Sequence, residues 1–502
     1  MAKKDRKKQK AERGSPAKKN GGDLLDMKQA IRRLKTTRAT FYRWLREGKV
    51  KGMKVGRQWR FYREDIERFL KGQEPRIDLP ADISPLVEAL RKRLGEVGGQ
   101  EPEAGDSEVS RAVNLTIALG AALGASDIHL DPGDERCRLR YRVDGALYET
   151  AAYDSRLQPP LIERWKTMAA CDPHERRVPQ DGRIRLKLPP GNEQIDLRVA
   201  FLPAYLGEAL TVRLLRRQAV QLEVDRLGFT PRDKERLLKW AEAPWGVLLV
   251  TGPTGCGKTT VLYSLLSHVN RPGLKVMSVE DPVEYVIEGL IQAQVRRDVG
   301  LDFARILRSF LRSDPDVIMV GEIRNLDTLQ ISFQAALTGH LVMSTLHTDE
   351  AVAGLKRMVD MGADPFLVAD ATKCIVAQRL VRKLCPDCAA EEAPDAGRLG
   401  EAERRARLGG LGWDDLPKAW RKPVGCQKCK FTGYRGRQVI AEVLEVTPET
   451  SAAIRRGASL DEMRTLAVGQ GMTTMSAHGV LLASRGKTSL AEVFRVAPHP
   501  KP

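Results

Sequence analysis

A glycine-rich stretch constrains the fold of this chain more than any other feature. The segment from Gly246 to Leu266 reads GVLLVTGPTGCGKTTVLYSLL, with an apolar run at Val247–Val250 and the pair Lys258-Thr259 before a helical apolar pattern. The pattern G-x-x-x-x-G-K-[ST] between a strand and a helix is typical of a loop whose backbone N–H groups surround phosphate oxygens. The flanking long helices and apolar strands predict a parallel α/β domain.

The residue types within this loop indicate their parts. Lys258 is placed for the β- and γ-phosphates of a nucleotide, and the Thr259 hydroxyl is placed for Mg²⁺. Cys256 occupies a position that contributes backbone, so we expect its thiol to be incidental. A chance glycine loop is the alternative, but it does not account for the strand and helix on either side. The predicted nucleotide-binding residues are Gly252, Pro253, Thr254, Gly255, Cys256, Gly257, Lys258, Thr259 and Thr260.

Two other apolar strands are predicted to end in acidic residues. The segment VMSVEDPVEY, residues 276–285, reaches Glu280 at the end of its apolar run. The segment LRSDPDVIMVGEIRN, residues 311–325, reaches Glu322 in the same way. In nucleotide hydrolases, an acid at such a strand end faces the γ-phosphate, where it orients the attacking water or holds the water shell of the metal.

Two histidines, His340 and His347, flank a further apolar strand in ALTGHLVMSTLHTDE, residues 336–350. A lone histidine at the end of a strand is usually structural. Two histidines that flank one strand in a nucleotide hydrolase favour a sensing role about as strongly as a structural one. Both interpretations stay open at this point.

Four of the eight cysteines form two C-x-x-C pairs, Cys385 with Cys388 and Cys426 with Cys429. Each pair places two thiolates on one tight turn, and two such turns complete a tetrahedral site for Zn²⁺. A redox pair is the alternative, but the βαβ context of a thioredoxin is missing. Eight cysteines in 502 residues are too few for a disulfide scaffold, so we expect a reducing compartment and a structural zinc.

The net charge of +18 is concentrated at one end of the chain. Residues 1–21 carry +7 and residues 22–72 carry +9, which leaves +2 for residues 73–502. Nucleic acid, or an acidic membrane or protein surface, is therefore a candidate partner for that end alone. The basic start is not followed by an apolar segment, so no secretory signal is expected. No apolar run reaches the ~18–20 residues that span a bilayer.

Shifts in composition divide the chain into five predicted parts. Lysine-rich sequence with few apolar residues predicts disorder, and a stretch rich in Pro, Gly and acidic residues predicts a linker. Short strands alternating with helices, and then long helices flanking apolar strands, predict two α/β domains. The parts are a disordered basic tail (1–22), a compact helical and hairpin domain (23–72), a linker with one short helix at 84–95 (73–107), an α/β domain (108–217), and a parallel α/β domain (218–502) that includes a zinc subdomain (385–430).

The ordered set of motifs resembles the type II secretion and type IV pilus assembly ATPase family (secretion protein E-like) of hexameric motors. The set comprises GPTGCGKTT, EDPVE, DPDVIMVGEIR and TGHLVMSTLHT, with GASDIHLDP and RRVPQDGRIRL upstream and GCQKCKFTGYRGR downstream. The resemblance spans about residues 108–496. It implies a multidomain α/β protein in which a PAS-like α/β domain precedes a RecA-like P-loop ATPase domain with a zinc-binding subdomain.

The resemblance also implies roles for individual residues. Glu322 resembles the glutamate that replaces the usual acidic pair of the second nucleotide motif, and Glu280 resembles the acid that helps to activate water. His340 and His347 resemble residues that report on the γ-phosphate, and with Lys258 these complete the implied catalytic set. Three arginines resemble those with which the N-domain of the family closes over nucleotide: Arg183, Arg198 and Arg213. The implied cofactors are ATP, Mg²⁺ and Zn²⁺.

Two motifs depart from the family pattern. The segment that usually reads GEIRD is GEIRN here, so Asn325 lacks a charge, and the segment that usually reads HTND is HTDE. We expect a local effect of Asn325 on pairing and no loss of catalysis.

Residues 23–72 resemble a winged helix-turn-helix of the excisionase/MerR type. Thr37 is predicted to cap the second helix, which Gly48 ends, and Phe41 is predicted to pack in the core. A hairpin around Gly56-Arg57-Gln58 is the predicted wing. Five arginines could face nucleic acid: Arg38, Arg43 and Arg46 on the helix, and Arg57 and Arg60 on the wing. Protein docking by a basic module is the alternative.

Together these features predict a cytoplasmic homohexameric motor ATPase that powers a type II secretion or type IV pilus assembly machine. The resemblance implies peripheral association with the inner membrane, where a platform protein would receive the motion. An ATP-dependent DNA-binding regulator that uses the helix-turn-helix is the alternative function.

Overall fold

A computed structural model describes residues 24–46, 49–55, 58–72, 79–102, 107–188, 193–216 and 223–498 of the chain. The predicted tail, residues 1–22, lies outside the described residues. Internal contacts divide the chain into two units, Met1–Arg217 and Gln218–Pro502. Among the helices of the described ranges, none combines the length and the hydropathy that crossing a membrane requires.

The first described part, residues 24–72, is a small helical domain with a three-stranded antiparallel sheet in the order β1-β3-β2. Its elements are β1 (Leu24–Asp26), α1 (Met27–Arg33), α2 (Arg38–Arg46), β2 (Met53–Val55), β3 (Gln58–Tyr62) and α3 (Arg63–Leu70).

The two predicted helices and the predicted hairpin of this domain are confirmed as α1, α2 and the β2–β3 pair. The Thr37 hydroxyl accepts the N–H of Thr40 at 3.2 Å, as a capping residue does. The rings of Phe41 and Phe61, both fully buried, meet edge to face with 5.1 Å between their centroids. Gly48 and Arg57 lie outside the described residues. Strand β1 and helix α3 complete the fold and were not predicted.

The second part of the first unit contains a sheet with six strands in the described residues. Helices cover one face of this sheet. The strand order is β6-β5-β4-β9-β8-β7, and every neighbouring pair is antiparallel. Its elements are α4 (Ser84–Glu96), α5 (Glu108–Leu123), β4 (Ala125–Asp131), β5 (Arg136–Val143), β6 (Ala146–Asp154), α6 (Gln158–Met168), β7 (Gln180–Leu188), β8 (Glu193–Ala204) and β9 (Gly207–Arg216).

Helix α4 lies in the interval that the composition marks as a linker. The short helix expected at 84–95 is present as Ser84–Glu96, but it does not simply connect two domains. Its apolar side packs against α5 and joins the core of the six-stranded sheet, where Leu86, Val87, Leu90 and Leu94 are buried. The apolar residues follow the helical period, so α4 buries one face even though Pro- and Gly-rich sequence surrounds it.

The second unit is built on a seven-stranded sheet, in the described ranges, with the order β12-β11-β13-β14-β10-β15-β18. Every neighbouring pair is parallel except β15 with β18, which is antiparallel. The strands are β10 (Gly246–Thr251), β11 (Val276–Glu280), β12 (Ile291–Gln294), β13 (Val317–Val320), β14 (Leu341–Leu346), β15 (Thr372–Leu384) and β18 (Tyr434–Glu445), with a separate pair of β16 (Ala390–Glu391) and β17 (Arg421–Lys422).

Helices cover both faces of this sheet, as expected for parallel strands that are buried on both sides. They are α7 (Pro231–Ala241), α8 (Lys258–Val269), α9 (Phe303–Phe310), α10 (Leu326–Leu337), α11 (Ala351–Asp360), α12 (Pro365–Ala371), α13 (Ala396–Leu408), α14 (Pro448–Arg455), α15 (Leu460–Gly469), α16 (Met475–Ser484) and α17 (Leu490–Val496).

The packing of α4 predicts a stability effect that a linker would not show. Leu90 is fully buried, so Leu90→Ala should lower the free energy of unfolding by about 2–5 kcal/mol. Lys92→Ala, at an exposed position of the same helix, is the control and should change it by less than about 0.5 kcal/mol. Denaturant unfolding of the full chain measures both, and equal, small effects would show that α4 is not part of the core.

Candidate functional site

The glycine-rich loop connects β10 to α8. Strand β10 is buried at every position and pairs with β14 on one side and β15 on the other. Gly257, immediately before α8, has a φ of 88°. Gly252 has a φ of 144°, and a Cβ there would lie 2.4 Å from the carbonyl oxygen of Gln378. These two positions therefore require glycine, for conformation at both and for space at Gly252.

Lys258 opens α8 and folds back over the loop. Its ammonium group donates to the carbonyl oxygen of Gly252 at 2.8 Å and to that of Pro253 at 3.1 Å. Burial lowers the pKa of Lys258. The cation is thus held by backbone oxygens at the mouth of the loop, next to the N-terminus of α8, where an anion is favoured.

Cys256 contributes backbone to the loop. The backbone carbonyl oxygen of Cys256 accepts a hydrogen bond from the side-chain amide of Gln378 at 2.8 Å. Burial raises the pKa of the Cys256 thiol. A buried, neutral thiol is poorly reactive, so the geometry agrees with an incidental side chain.

The carboxyl ends of three parallel strands meet the start of α8 at one cleft of about 180 Å³. Because parallel strands end at the same edge of a sheet, residues far apart in sequence come together there. The cleft contains four predicted catalytic residues and the predicted Mg²⁺ ligand: Lys258, Thr259, Glu280, Glu322 and His347. Its other lining residues are Leu262, Asp281, Pro282, Glu284, Phe303, Met319, Gly321 and Thr345.

Glu280 is the last residue of β11 and is almost completely buried. Its carboxylate accepts hydrogen bonds from the hydroxyl groups of Tyr263 and Ser278, the latter at 2.6 Å, and from the amide of Gln292 at 3.1 Å. Burial and the nearby carboxylate raise the pKa of Tyr263, so its hydroxyl stays a donor. Sequence reasoning missed these donors, because they come from α8, β11 and β12 and form no motif together.

Glu322 follows β13 and is held from two sides. One carboxylate oxygen lies 2.5 Å from the Arg324 guanidinium, and the other lies 3.6 Å from Nε2 of His347. The hydrogen bond to Glu322 raises the pKa of Arg324. Arg324 is a site residue that sequence reasoning missed, although its position two residues after Glu322 could have indicated it.

The two histidines lie at opposite ends of β14. His347 follows the carboxyl end and lines the cleft. His340 precedes the amino end, where its Nδ1 donates to the carbonyl oxygen of Ala335 at 2.8 Å. A strand of six residues separates its ends by about 20 Å, so of the two histidines the structure brings only His347 to this cleft.

Asn325, the uncharged residue of the GEIRN segment, has a structural part at the start of α10. It is the N-cap of α10, and its side-chain oxygen accepts the N–H of Thr328 at 3.0 Å. Asn and Asp are nearly equal in this role. Either residue at this position can therefore cap α10. The expected effects on charge pairing and on catalysis stay predictions.

The three predicted arginines form a row across the six-stranded sheet. Arg183 on β7 pairs in register with Arg198 on β8, and Arg198 pairs with Arg213 on β9. Arg213 is next to Asp127 on β4, with 3.1 Å between Nε and the carboxylate. All four line a cavity of about 380 Å³. Like charges in adjacent registers repel, so the row favours an anionic ligand.

The four cysteines of the two C-x-x-C pairs converge beyond the ends of β15 and β18. Their sulfur atoms lie within 4.8 Å of one another. The Sγ atoms of Cys385 and Cys426 are 3.9 Å apart, and those of Cys388 and Cys429 are 3.8 Å apart. Tetrahedral Zn²⁺ with Zn–S bonds of about 2.3 Å requires sulfur separations of about 3.8 Å, so the donor set fits zinc.

Backbone N–H groups point at these sulfur atoms. The N–H of Gly425 lies 3.3 Å from Sγ of Cys388, and the N–H groups of Cys426 and Gly433 lie 3.1 Å and 3.2 Å from Sγ of Cys429. Burial raises the pKa of Cys385 and of Cys388. Burial also opposes ionisation of Cys429, but the two N–H donors, together with the side chains of Cys388 and Cys426, lower the pKa of Cys429 to about 7. Such donors stabilise thiolate, the form that binds metal.

Comparison with known proteins matches this architecture. The family model described as "Type II/IV secretion system protein" matches residues 102–495, and a model described as "Helix-turn-helix domain" matches residues 24–74. The type IV pilus assembly ATPase PilB of Myxococcus xanthus is 39% identical over 434 residues, which are 86% of this chain and 75% of that protein. The type II secretion system protein E of Xanthomonas campestris is 44% identical over 420 residues, 84% of this chain and 71% of that protein.

A solved structure supports the fold alone. The ATPase DotB of Yersinia pseudotuberculosis superposes with a TM-score of 0.58 at 20% identity, over 79% of this chain and 96% of that one. The second unit accordingly has a RecA-like fold, and the helix-turn-helix domain precedes it in the sequence. The long family match and the two relatives lead to one conclusion: the chain belongs to the type II/IV secretion system protein family.

Proposed function

We propose that this chain is an ATP-hydrolysing motor of a type II secretion or type IV pilus assembly machine. It would work as a homohexamer in the cytoplasm, bound peripherally to the inner membrane, and pass its motion to a membrane platform protein. The names of the relatives support the class of machine. The observation that carries the proposal is the convergence of Lys258, Thr259, Glu280, Glu322 and His347 in one cleft.

The residues of the cleft divide the work of phosphoryl transfer. Lys258 binds the β- and γ-phosphates, and the Thr259 hydroxyl, which lines the same cleft, would hold a Mg²⁺ ion that would neutralise developing charge. Glu322 orients the attacking water, and its contacts with Arg324 and His347 fix the carboxylate in place. Glu280 is held by three donors as a carboxylate that faces the same cleft.

Two further groups complete the proposal. The arginine row of Arg183, Arg198 and Arg213 binds nucleotide phosphates, because its three positive charges outnumber the two carboxylates of the same cavity, Asp127 and Asp181. His347 reports on the γ-phosphate through its contact with Glu322. His340 makes its hydrogen bond away from this cleft, so its contribution is to hold the start of β14.

ATP hydrolysis should depend on Lys258 and Glu322 in different ways. Lys258→Ala should weaken ATP binding and lower kcat at least about 100-fold, because it removes the phosphate-binding cation. Glu322→Gln should leave ATP affinity nearly unchanged and lower kcat about 100-fold or more, because shape is kept and the carboxylate is lost. Steady-state ATPase assays and titration with a fluorescent ATP analogue measure the two quantities.

The control for these variants is Lys356→Ala, an exposed lysine on α11 that pairs with Asp360. It should hydrolyse ATP at the rate of the unchanged protein. Glu322→Gln with an unchanged kcat would remove Glu322 from the proposed mechanism, and an unchanged chain without ATPase activity would overturn the proposed function.

We also propose that the four-cysteine cluster binds one structural Zn²⁺. Four thiolates fill a tetrahedral site, so this metal has no open position for substrate. Cys385 directly follows β15, and Tyr434, five residues after Cys429, begins β18. The metal would therefore tie together the far ends of two strands that belong to the main sheet.

Metal analysis tests this site. Purified full-length protein should contain close to one zinc per chain, and Cys426→Ser should release it and lower the thermal unfolding midpoint, because binding is coupled to local folding. Cys171→Ser, at a partly exposed cysteine of the other unit, should keep the full zinc content. Protein that was never exposed to chelator and contains no zinc would contradict the proposal.

A second candidate function, contact with DNA, is favoured by the helix-turn-helix domain. Helix α2 buries Phe41 and leaves Arg38 and Arg43 exposed, and Lys49 after the helix is exposed as well. Together with a charge of +16 over residues 1–72, these exposed cations are complementary to a phosphate backbone. A hexamer would present six such domains, which strengthens weak individual contacts. A DNA-binding regulator and a protein-docking module are the competing outcomes.

Salt dependence distinguishes these outcomes. Binding of the full-length protein to duplex DNA should weaken steeply with salt, and replacing Arg38 and Arg43 by Ala should reduce the slope of log K against log [salt] by about 0.9 for each lost phosphate contact. Arg33→Ala, whose guanidinium is paired with Glu67, is the control. Absence of binding at low salt would favour protein docking, and loss of ATPase activity in the double variant would favour the regulator.

A further inference from the structure

The loop that carries His347 is hydrogen-bonded to β10, the strand that precedes the glycine-rich loop. We call this glycine-rich loop, residues 252–257 between β10 and α8, the phosphate loop. We call residues 347–350 the histidine-box loop; it joins β14 to α11. The N–H of Thr348 donates to the Thr251 hydroxyl oxygen at 2.7 Å, and that hydroxyl lies 2.9 Å from the carbonyl oxygen of Thr348. Thr251 is the last residue of β10 and directly precedes Gly252. One end of the histidine-box loop thus has a fixed position relative to the phosphate loop.

The other end of this loop is held by a buried carboxylate, Glu442 of β18. One carboxylate oxygen accepts the N–H of Ala351, the first residue of α11, at 3.0 Å. The other accepts the N–H of Met475, the first residue of α16, at 3.2 Å. A single side chain therefore satisfies backbone donors at two helix N-termini, where the helix dipoles favour negative charge.

This arrangement is costly for stability alone. Burial raises the pKa of Glu442 to about 7, although the N–H groups of Ala351 and Met475 partly offset the effect. Arg464, a cation whose charge acts on Glu442, is itself engaged with Glu350 and Asp461, both at 2.6 Å. Burying a carboxylate costs free energy of folding, whereas an apolar side chain of similar volume often carries no such cost. Stability is therefore a weak reason for a glutamate at this position.

We propose that Glu442 is a positioning residue that fixes the histidine-box loop, and with it the contact of His347 with Glu322. Thr251 holds the start of the loop and Glu442 holds the helix end that follows it, so the backbone that carries His347 has a fixed position. From this position the exposed imidazole lies 3.6 Å from the Glu322 carboxylate. The role rests on the proposed ATP hydrolysis, in which Glu322 orients water. Glu442 is not among the described residues that line the cleft, so it acts through the loop.

The test compares two glutamates of the same strand in the full-length protein. In Glu442→Gln, the side-chain NH₂ group replaces one of the two carboxylate oxygens. Either the N–H of Ala351 or the N–H of Met475 then has no acceptor. Glu445→Gln is the matched control, because Glu445 also accepts hydrogen bonds, from Trp240 at 2.8 Å and Lys239 at 3.0 Å, but on the side of α7. Both variants alter a hydrogen-bonded carboxylate in β18, but only Glu442 contacts the start of α11, directly after the histidine-box loop.

Glu442→Gln should lower kcat for ATP about 10-fold or more and change KM by less than about twofold, because misplacement of a catalytic group affects the transition state more than ground-state binding. Hydrogen exchange at residues 347–353 should become faster in this variant. Glu445→Gln should keep both kcat and the exchange of this segment. Glu442→Asp, which retains the charge but is one methylene shorter, should lie between the unchanged protein and Glu442→Gln and serves if the latter does not fold.

Each outcome decides the role of Glu442. Equal loss of kcat in the two Gln variants, or a KM that rises as much as kcat falls, would show a structural effect and overturn the inference. A normal kcat in Glu442→Gln together with an active unchanged protein would also overturn it, while the proposed function would stand. If the unchanged protein hydrolyses no ATP, the proposed function fails, and faster exchange in Glu442→Gln would then show only that the loop is held.

Discussion

The parallel register of β11, β13, β14 and β10 is the constraint on which the site depends. The four strands pair side by side, so the residues that follow them reach one edge of the sheet. A slip of one residue in any of them would move Glu280, Glu322 or His347 to the wrong face, because side chains alternate along a strand. Almost complete burial of these strands on both faces makes such a slip costly.

The antiparallel pair β15 and β18 extends this constraint away from the cleft. Strand β15 pairs with β10 near the phosphate loop, and its Gln378 holds the carbonyl oxygen of Cys256. The same strand runs on to Leu384, directly before Cys385. Strand β18 carries Glu442, whose carboxylate meets the end of the histidine-box loop. Continuous hydrogen-bonded strands therefore run from the cleft beside the glycine-rich loop to the cysteine cluster.

In the first unit, antiparallel strand pairing brings three arginines side by side. Arg183, Arg198 and Arg213 are brought side by side by the registers of β7, β8 and β9, although 30 residues separate the first from the last. Asp127 on β4 compensates one of them. Helices, including α4, cover the opposite face and supply the apolar core that offsets this repulsion.

Local sequence determined the parts whose geometry is set by a few neighbouring residues. The phosphate loop, the C-x-x-C turns and the Thr37 cap are of this kind, because glycine conformations, thiolate spacing and capping act over a few residues. The resemblance to the family supplied the roles of Glu280, Glu322 and the arginines. The tertiary structure alone decided that Tyr263 and Gln292 surround Glu280, that α4 belongs to a core, and that Glu442 joins two helix ends. The hydrogen bonds of Glu280 and Glu442 with residues of other elements depend on strand order and register and link residues 12 to 91 positions apart, so they leave no local pattern in the sequence.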